Sequence, residues 1–177
     1  MPDLLTGAPG AILVTGIPGA GKTTVARALA RRFARGAHIE VDLLQQMIVS
    51  GGLWPDQPPH EEAMRQLELR ARHGAMLAAS FVDAGITAVL DDVIVGPDRL
   101  ALYRAGLGAR PLHLVVLAPP LEVVRQRDRD RGYKHVGEAW AHLDAEQRDE
   151  LGGVGLWIDS ARQSPDDTVE AIVRGLS

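Results

Sequence analysis

The feature that most constrains the fold is a glycine-rich segment near the amino end, residues 16–24, with the sequence Gly-Ile-Pro-Gly-Ala-Gly-Lys-Thr-Thr. It fills every fixed position of the pattern G-x-x-x-x-G-K-[ST], and it lies between an apolar run at 11–15 and a helix-like segment at 25–35. Strand, loop and helix in this order predict a loop whose backbone N–H groups converge on a phosphate. The alternative is a strand-to-helix turn that binds nothing.

Each residue type in this loop suits the binding of a nucleotide. Gly16, Gly19 and Gly21 can adopt backbone angles that are costly for other residues, and they leave the phosphate oxygens unobstructed. Lys22 is expected to bridge the β- and γ-phosphates, and the Thr23 hydroxyl to bind the Mg²⁺ ion that accompanies ATP. The other loop positions in the predicted nucleotide-binding segment are Ile17, Pro18, Ala20 and Thr24.

Length and composition limit what surrounds this loop. A chain of 177 residues predicts a single domain, 1–177, and the net charge of −4 argues against a broad nucleic-acid-binding surface. The chain contains no cysteine, which excludes thiol catalysis and cysteine-based metal sites. We see neither a signal peptide nor a membrane span, so we expect a cytoplasmic protein, monomeric or homodimeric, whose partner is a small molecule.

Strands alternate with helices along the chain, which predicts an α/β fold with a parallel sheet between two helical layers. The predicted helices include a long amphipathic one at 61–83, one that starts at Gly96-Pro97-Asp98, and a last one that Ser164 caps. A second strand at 38–42 ends in Asp42, and ligands bind outside the carboxyl ends of such strands. A strand at 87–90 leads into Asp91 and Asp92, one of which would hold the metal directly or through water. Alternatively, Asp91 and Asp92 cap the next turn, and Asp42 orients Lys22 or the metal.

Two further segments border the predicted crevice. The loop at 51–60 contains Trp54 and three prolines, and it is either a flap over the substrate or a packed connector. The helix after a strand at 112–117 carries four arginines, of which Arg127 and Arg131 share one face. Those arginines either form a solvated surface or begin a lid, at about residues 128–140, that neutralises charge on a transferring phosphoryl group.

Taken together, these segments resemble the small-molecule kinase branch of the P-loop proteins, which has the adenylate-kinase, gluconate-kinase and shikimate-kinase fold. Within that branch the sequence most resembles the chloramphenicol phosphotransferase-like, AAA-type kinase-like proteins. The segments that carry the resemblance are 16–24, 41–42, 90–93, 127–137 and 158–160, followed by Ser164 and Pro165.

The resemblance implies a three-layer P-loop fold with five parallel strands in the order 2-3-1-4-5, and a lid between the fourth strand's helix and the fifth strand. It also implies that Asp42 takes the proton from the acceptor hydroxyl. Arg127 is implied to lie against adenine, and Arg131 to reach the phosphates. The loop at 159–163, which includes Ser160, is implied to border the adenine.

The expected function is therefore an ATP- and Mg²⁺-dependent phosphotransferase that acts on a hydroxyl of a small molecule, either antibiotic-like or a metabolite. One alternative, a nucleotide or nucleoside kinase, shares the fold and most of these residues. A second alternative is a nucleotide-binding regulatory module without catalysis. Asp42 and the arginine-rich segment favour an enzyme over such a module.

Overall fold

The computed structural model describes residues 8–130 and 140–176, without the side chain of Asp128. Five strands alternate with seven helices in the described residues, as the sequence predicts. In chain order they are β1 (Ala11–Thr15), α1 (Lys22–Ala30), β2 (Gly36–Glu40), α2 (Val41–Gln46), α3 (His60–Asp83), β3 (Thr87–Asp91), α4 (Pro97–Leu107), β4 (Leu112–Leu117), α5 (Leu121–Asp130), α6 (His142–Leu151), β5 (Leu156–Ile158) and α7 (Pro165–Leu176).

The five strands form one parallel sheet in the order β2-β3-β1-β4-β5, which confirms the predicted fold and strand order. β1 lies at the centre, where Leu13 pairs with Leu90 of β3 and with Leu114 of β4. Because all strands run the same way, their carboxyl ends meet at one edge of the sheet, and the phosphate loop follows β1 at that edge.

Alternate residues of the central strands feed two separate hydrophobic cores. Leu13, Leu90 and Val116 face one core with α3 and α4, whereas Val14 and Val89 face the other core with α1 and α7. Burial on both faces explains why these strands read as continuous apolar runs rather than as alternating polar and apolar residues. The sheet is thus held rigidly from both sides, which fixes the loops at its carboxyl edge.

The second strand lies two residues earlier in the chain than the sequence predicts. It ends at Glu40, and Asp42, which we predicted as its last residue, lies in the first turn of α2. The apolar Val41 extends the strand pattern in the sequence, and no side-chain cap marks the start of α2. In the structure Val41 is buried against Gly74 of α3, where a Cβ atom would lie 3.2 Å from Val41 Cγ2.

The long helix α3 forms as its helical spacing of small and apolar residues predicts. Its alanines Ala71, Ala75 and Ala78 are fully buried, and they allow α4 to approach closely. A Cβ atom on Gly106 of α4 would lie 2.5 Å from Ala75 Cβ, so only glycine fits there. Neither α3 nor any other helix in the described residues is long and apolar enough to cross a membrane.

Candidate functional site

The phosphate loop has the backbone conformation that its glycines predict. Gly16, Gly19 and Gly21 have φ angles of 146°, 92° and 100°, in the region that side chains disfavour. A Cβ atom on Gly16 would lie 2.5 Å from the carbonyl oxygen of Leu117, so this position has no room for a larger residue. Helix α1 begins immediately after Gly21, so its unpaired N–H groups and positive dipole end face the loop.

Lys22 and Thr23 occupy the first turn of α1. The Lys22 ammonium group folds back over the loop and donates to the Ile17 carbonyl oxygen at 3.2 Å. The Thr23 hydroxyl donates to Asp91 Oδ2 at 2.6 Å, which joins the loop to the end of β3. The second oxygen of Asp91 lies 2.6 Å from Nε2 of His38, on the neighbouring strand β2.

Asp92, the residue after Asp91, has a different set of partners. Asp92 Oδ1 accepts from Arg70 Nη2 and from the Val93 backbone, both at 2.9 Å, and its Oδ2 accepts from the Tyr103 hydroxyl at 2.9 Å. Burial raises the pKa of Asp92, and the charge of Arg70 and the Tyr103 hydroxyl partly offset that rise. Burial, together with the Asp92 carboxylate, also raises the pKa of Tyr103 well above its ordinary value.

Arg70 joins this buried group to Asp42. Its Nη2 bonds Asp92, and its Nη1 lies 2.9 Å from Asp42 Oδ1. The Arg70 side chain is 5% exposed, whereas that of Asp42 is 49% exposed, so the guanidinium holds an otherwise accessible carboxylate in one position. Although Asp42 lies beyond β2 rather than in it, its carboxylate still reaches the crevice at the carboxyl edge of the sheet.

The loop at 51–60 is anchored rather than loosely attached. The Gln66 amide donates to the Gly51 carbonyl oxygen at 2.9 Å and accepts from the Leu53 N–H at 2.8 Å, and Gln45 donates to the Leu53 carbonyl oxygen at 2.8 Å. These bonds hold Trp54 half-buried at the wall of the crevice, with the Arg70 guanidinium 5.9 Å from its ring centroid. Trp54 thus lines the crevice.

Phosphate loop, carboxylates and Trp54 line one cleft of about 920 Å³. Gly19, Lys22, Thr23 and Asp91 form what we call its phosphate end, and the remaining lining, called the acceptor end, combines apolar side chains with polar and charged ones that include two arginines. The acceptor end includes Asp42, Trp54, Met64, Leu67, Arg70, Asp92, Arg99, Leu102, Trp140 and Leu143.

Helix α6 closes one side of the cleft because its Gln147 is bonded to the edge of the sheet. The Gln147 amide donates to Thr15 Oγ1 at 3.3 Å and also to the Ile94 carbonyl oxygen. The bonds place Trp140 and Leu143, which precede Gln147 on the chain, at the cleft wall. This wall therefore comes from a segment far from the phosphate loop in sequence.

Arg127 of α5 lies beside the phosphate loop. Its guanidinium donates to the carbonyl oxygen of Ala20, in the loop, at 3.2 Å and to that of Ser160, after β5, at 2.7 Å. The Ser160 hydroxyl and the Gln163 Oε1 atom are both buried without a hydrogen-bond partner in the described residues. Arg131 and most of the predicted lid at 128–140 lie outside the described residues.

The remaining predicted nucleotide-binding positions of the phosphate loop differ in their exposure. Ile17 and Ala20 are buried, whereas Pro18 lines the cleft and Thr24 is exposed on α1. No group of three or more His, Asp or Glu side chains in the described ranges is arranged to hold a metal ion alone. The neighbouring oxygens of Thr23 and Asp91 nevertheless suit Mg²⁺, which prefers oxygen ligands and commonly keeps waters and substrate phosphates in its shell.

Sequence reasoning did not single out several residues of this site. Arg70 was one of three arginines of α3 with no sequence signal to tell them apart, and only packing separates it from the exposed Arg65 and Arg72. His38 was assigned only to a strand. Arg99, Tyr103 and Trp140 carried no motif. The helix start at Gly96-Pro97-Asp98, which the sequence does predict, places Arg99 in the first turn of α4.

Comparison with known proteins agrees with this architecture. Residues 12–151 match the model of the family AAA_33, described as an AAA domain, and the chain belongs to that family. A curated relative, the bifunctional enzyme CysN/CysC of Rhodopirellula baltica, is 30% identical over 166 residues, which is 92% of this chain. The chain spans only 23% of that relative's length.

Solved structures share the fold at low sequence identity. A gluconokinase from Sinorhizobium meliloti matches with a TM-score of 0.72 and 20% identity over 96% of this chain and 92% of that one. The APS kinase CysC of Mycobacterium tuberculosis, solved with AMPPNP and APS, matches with a TM-score of 0.72 and 18% identity over 96% and 98% of the two chains. The predicted AAA-type family, and the fold that the chain shares with P-loop small-molecule kinases, are thereby confirmed.

Proposed function

We propose that this protein is a kinase that transfers the γ-phosphoryl group of ATP to a hydroxyl group of a small molecule. The observation that carries the proposal is that the phosphate loop and the Asp42 carboxylate line the same cleft. A phosphate-binding loop alone suits switches and motors as well as kinases. A positioned carboxylate opposite that loop, in a cleft with room for a second molecule, is what transfer to an acceptor requires.

The phosphate end of the cleft would hold the triphosphate. The backbone N–H groups of residues 16–24 would bind its oxygens, and the Lys22 ammonium would turn from the Ile17 carbonyl to the β- and γ-phosphates. Thr23 and Asp91 would hold Mg²⁺, which when bound neutralises charge on the phosphates. His38, bonded to the other Asp91 oxygen, would keep that carboxylate in place.

Asp42 would act as the general base in the transfer. The acceptor oxygen attacks the γ-phosphorus, a new O–P bond forms, and the bond from that phosphorus to the bridging β-γ oxygen breaks. The acceptor proton passes to Asp42, and the products are ADP and a phosphate monoester. Arg70 would position Asp42 through the 2.9 Å ion pair of its Nη1 atom, while its Nη2 atom is paired with Asp92.

Arg127 and the loop after β5 would bind the nucleotide base. The Arg127 guanidinium bridges the phosphate loop and Ser160, and the unpaired polar atoms of Ser160 and Gln163 lie in that same loop. Buried polar atoms without partners cost free energy, which hydrogen bonds from a base would recover. Arg131 is assigned the phosphate contact that the family resemblance implies.

The test is an acceptor screen that follows ADP formation with ATP and Mg²⁺ over sugar acids, nucleosides and hydroxyl-bearing antibiotics, with ³¹P NMR of the product. On the acceptor found, Asp42→Asn should lower kcat by about 10²-fold or more, because the proton has no acceptor. ATP affinity should stay near the wild-type value, because the ion pair that Asp42 makes is with Arg70 of α3 rather than with the phosphate loop.

A matched control is Asp83→Asn, which also removes a carboxylate paired with an arginine, Arg110, but outside the cleft. It should leave the rate unchanged. An Asp42→Asn protein that transfers as fast as wild type would remove the base assignment. Tight ATP binding without consumption on any acceptor would instead indicate a nucleotide-binding module, and turnover on a nucleoside alone would indicate a nucleoside kinase.

A further inference from the structure

Arg99 lines the cleft near Asp92 and Arg70, whose charges act on it, and it has no ion-pair partner in the described residues. Its Nη1 atom is buried and without a hydrogen-bond partner. The side chain is half-buried, and burial lowers the pKa of Arg99, which means that the protein around it disfavours the positive charge. A buried charged N–H group without a partner is costly, so this arginine has a reason to bind an anion.

The carboxylate whose charge acts most on Arg99 is Asp92, and that carboxylate is already engaged. Asp92 accepts hydrogen bonds from Arg70, Tyr103 and the Val93 backbone. Arg70 in turn is shared between Asp92 and Asp42. The two arginines of this end therefore differ: Arg70 makes ion pairs with two carboxylates, and Arg99 makes none within the described residues.

The carboxylates at the rim of this end do not fill that role. Glu68 is exposed and pairs with Arg72 at 3.0 Å, and Asp56, Asp98 and Glu146 are exposed to solvent. Exposed carboxylates are screened by water and contribute little to a partly buried cation. A ligand group that enters the cleft would meet Arg99 in a drier environment, where a charge-assisted pair is stronger.

One part of this lining is apolar. It consists of two indole rings, Trp54 and Trp140, together with Met64, Leu67, Leu102 and Leu143, whereas polar side chains such as Gln57, His60, Glu68 and Glu146 lie exposed elsewhere in the lining. Where an acceptor covers the apolar part, its hydroxyl groups would lose hydrogen bonds to water without replacing them, whereas a ring or hydrocarbon body would gain from burial there.

We propose that the acceptor is an alcohol with an apolar, ring-containing body and one oxyanion group, carboxylate or phosphate, and that Arg99 binds this oxyanion. The inference rests on the kinase function proposed above, because it concerns the second substrate of that site. Arg99 is a specificity-determining residue in this arrangement: it holds the end of the acceptor remote from the reacting hydroxyl. The planar guanidinium matches a carboxylate or a phosphate through paired N–H donors.

The test compares probes that differ in one feature. We use 4-(hydroxymethyl)benzoate, its neutral amide, the corresponding phosphonate, and gluconate as an oxyanion without an apolar body. Binding is measured by calorimetry on the full chain with ADP and Mg²⁺ at saturation, so that the phosphate loop is not the anion site. Wild type should bind the benzoate or the phosphonate about tenfold or more tightly than the amide and than gluconate, and the stronger of the two identifies the oxyanion.

Arg99→Met should bring the benzoate and phosphonate down to the affinity of the amide, and Arg99→Lys should keep part of the preference because it keeps the charge without the paired donors. Arg104→Met, an exposed arginine farther along α4, is the control and should change nothing. Equal affinity of wild type for amide and oxyanions overturns the proposal and needs no variant to fold. If wild type binds gluconate more tightly than the benzoate and the phosphonate, the proposed apolar, ring-containing body of the acceptor is overturned.

Turnover separates this inference from the proposed function. Phosphorylation of amide and benzoate at equal kcat/KM would leave the kinase function standing and remove the oxyanion site. Arg99-dependent binding of the benzoate, with ATP never consumed on any acceptor, would keep the oxyanion site and remove the kinase function.

Discussion

The two ends of the cleft are built in different ways. The phosphate end comes from consecutive residues, 16–24, and its predicted donors are mainly backbone N–H groups whose directions follow from the φ angles of three glycines. The acceptor end comes from side chains on α2, α3, α4, α6 and the loop at 51–60, which only tertiary packing brings together. A site made of backbone is recognisable as a motif, whereas a site made of side chains depends on which face of each helix is buried.

The two ends also differ in how charge is handled. At the phosphate end Lys22 lies in an open crevice beside the amino end of α1, where it can turn toward a ligand. At the acceptor end Arg70 and Asp92 are buried and bonded to each other, so their charges serve the architecture and the position of Asp42. Substitutions at the first end should therefore affect catalysis, and those at the second end should affect stability as well.

The largest effect is expected at the phosphate end. Lys22→Ala should reduce phosphoryl transfer by about 10³-fold, because the charge that meets the γ-phosphate is removed. The melting temperature should change little, since Lys22 is only partly buried. Rate and thermal unfolding are measured together, with Arg31→Ala, on the exposed surface just after α1, as the control. A folded Lys22→Ala protein with full activity would contradict the role assigned to the loop.

The next effect is expected at the acceptor end. Arg70→Met should lower the free energy of unfolding by about 3 kcal/mol, because Asp92 remains buried without its ion-pair partner. Arg72, two residues later on α3, is exposed and pairs with Glu68. Arg72→Met should therefore lower the free energy of unfolding by less than about 0.5 kcal/mol. Urea unfolding measures both. Equal losses in the two variants would show that the buried group does not hold this end together.

The stability of the Arg70→Met variant is expected to depend on pH. Burial already raises the pKa of Asp92, and loss of the Arg70 charge raises it further. In the unfolded chain this carboxyl ionises near its ordinary pKa, so above that pH the unfolded state binds fewer protons than the folded state and stability falls as pH rises. Arg70→Met should therefore be more destabilised, relative to wild type, at pH 8 than at pH 5. The opposite order in urea unfolding would contradict a buried, unpaired Asp92.

The smallest effect is expected at the anchored loop. Gln66→Ala removes the hydrogen bonds to Gly51 and Leu53 and should cost about 1 kcal/mol of stability. Because Trp54 is then held less firmly, the KM for the acceptor should rise several-fold while that for ATP stays constant. Steady-state kinetics measure the KM values for acceptor and ATP separately, and Gln46→Ala at an exposed position of α2 is the control. A rise in both KM values would mean that the two ends are not independent.

Much of the fold was predictable because it depends on local patterns. The apolar run at 112–117 and the helical spacing of α3 were sufficient to place these elements, and the Ser164 side chain caps α7 as predicted, with its hydroxyl oxygen accepting from the Asp167 N–H at 3.1 Å. The second strand was predicted two residues too far along the chain because Val41 is apolar in either assignment. In the structure Val41 begins α2 and packs against Gly74.

The candidate site was predictable only in part, for a related reason. Asp91 and Asp92 are equivalent in the sequence, but adjacent positions at the end of a strand diverge, and the structure joins the first to Thr23 and the second to Arg70. Likewise Arg65, Arg70 and Arg72 have the same residue type on one helix. Which of them enters the core depends on the rotation of α3 against the sheet, and no local pattern records that.

The sequence by itself determined the phosphate loop, the parallel sheet and its strand order, because glycine geometry, apolar runs and family motifs are properties of neighbouring residues. Tertiary structure alone decided the acceptor end: the Arg70 ion pairs to Asp42 and Asp92, the anchoring of Trp54 by Gln66, and the buried Arg99 Nη1 atom, which has no hydrogen-bond partner in the described residues. The physical reason is that these features are differences in burial and distance between side chains that are remote in the chain. Such differences exist only after the helices have packed on the sheet.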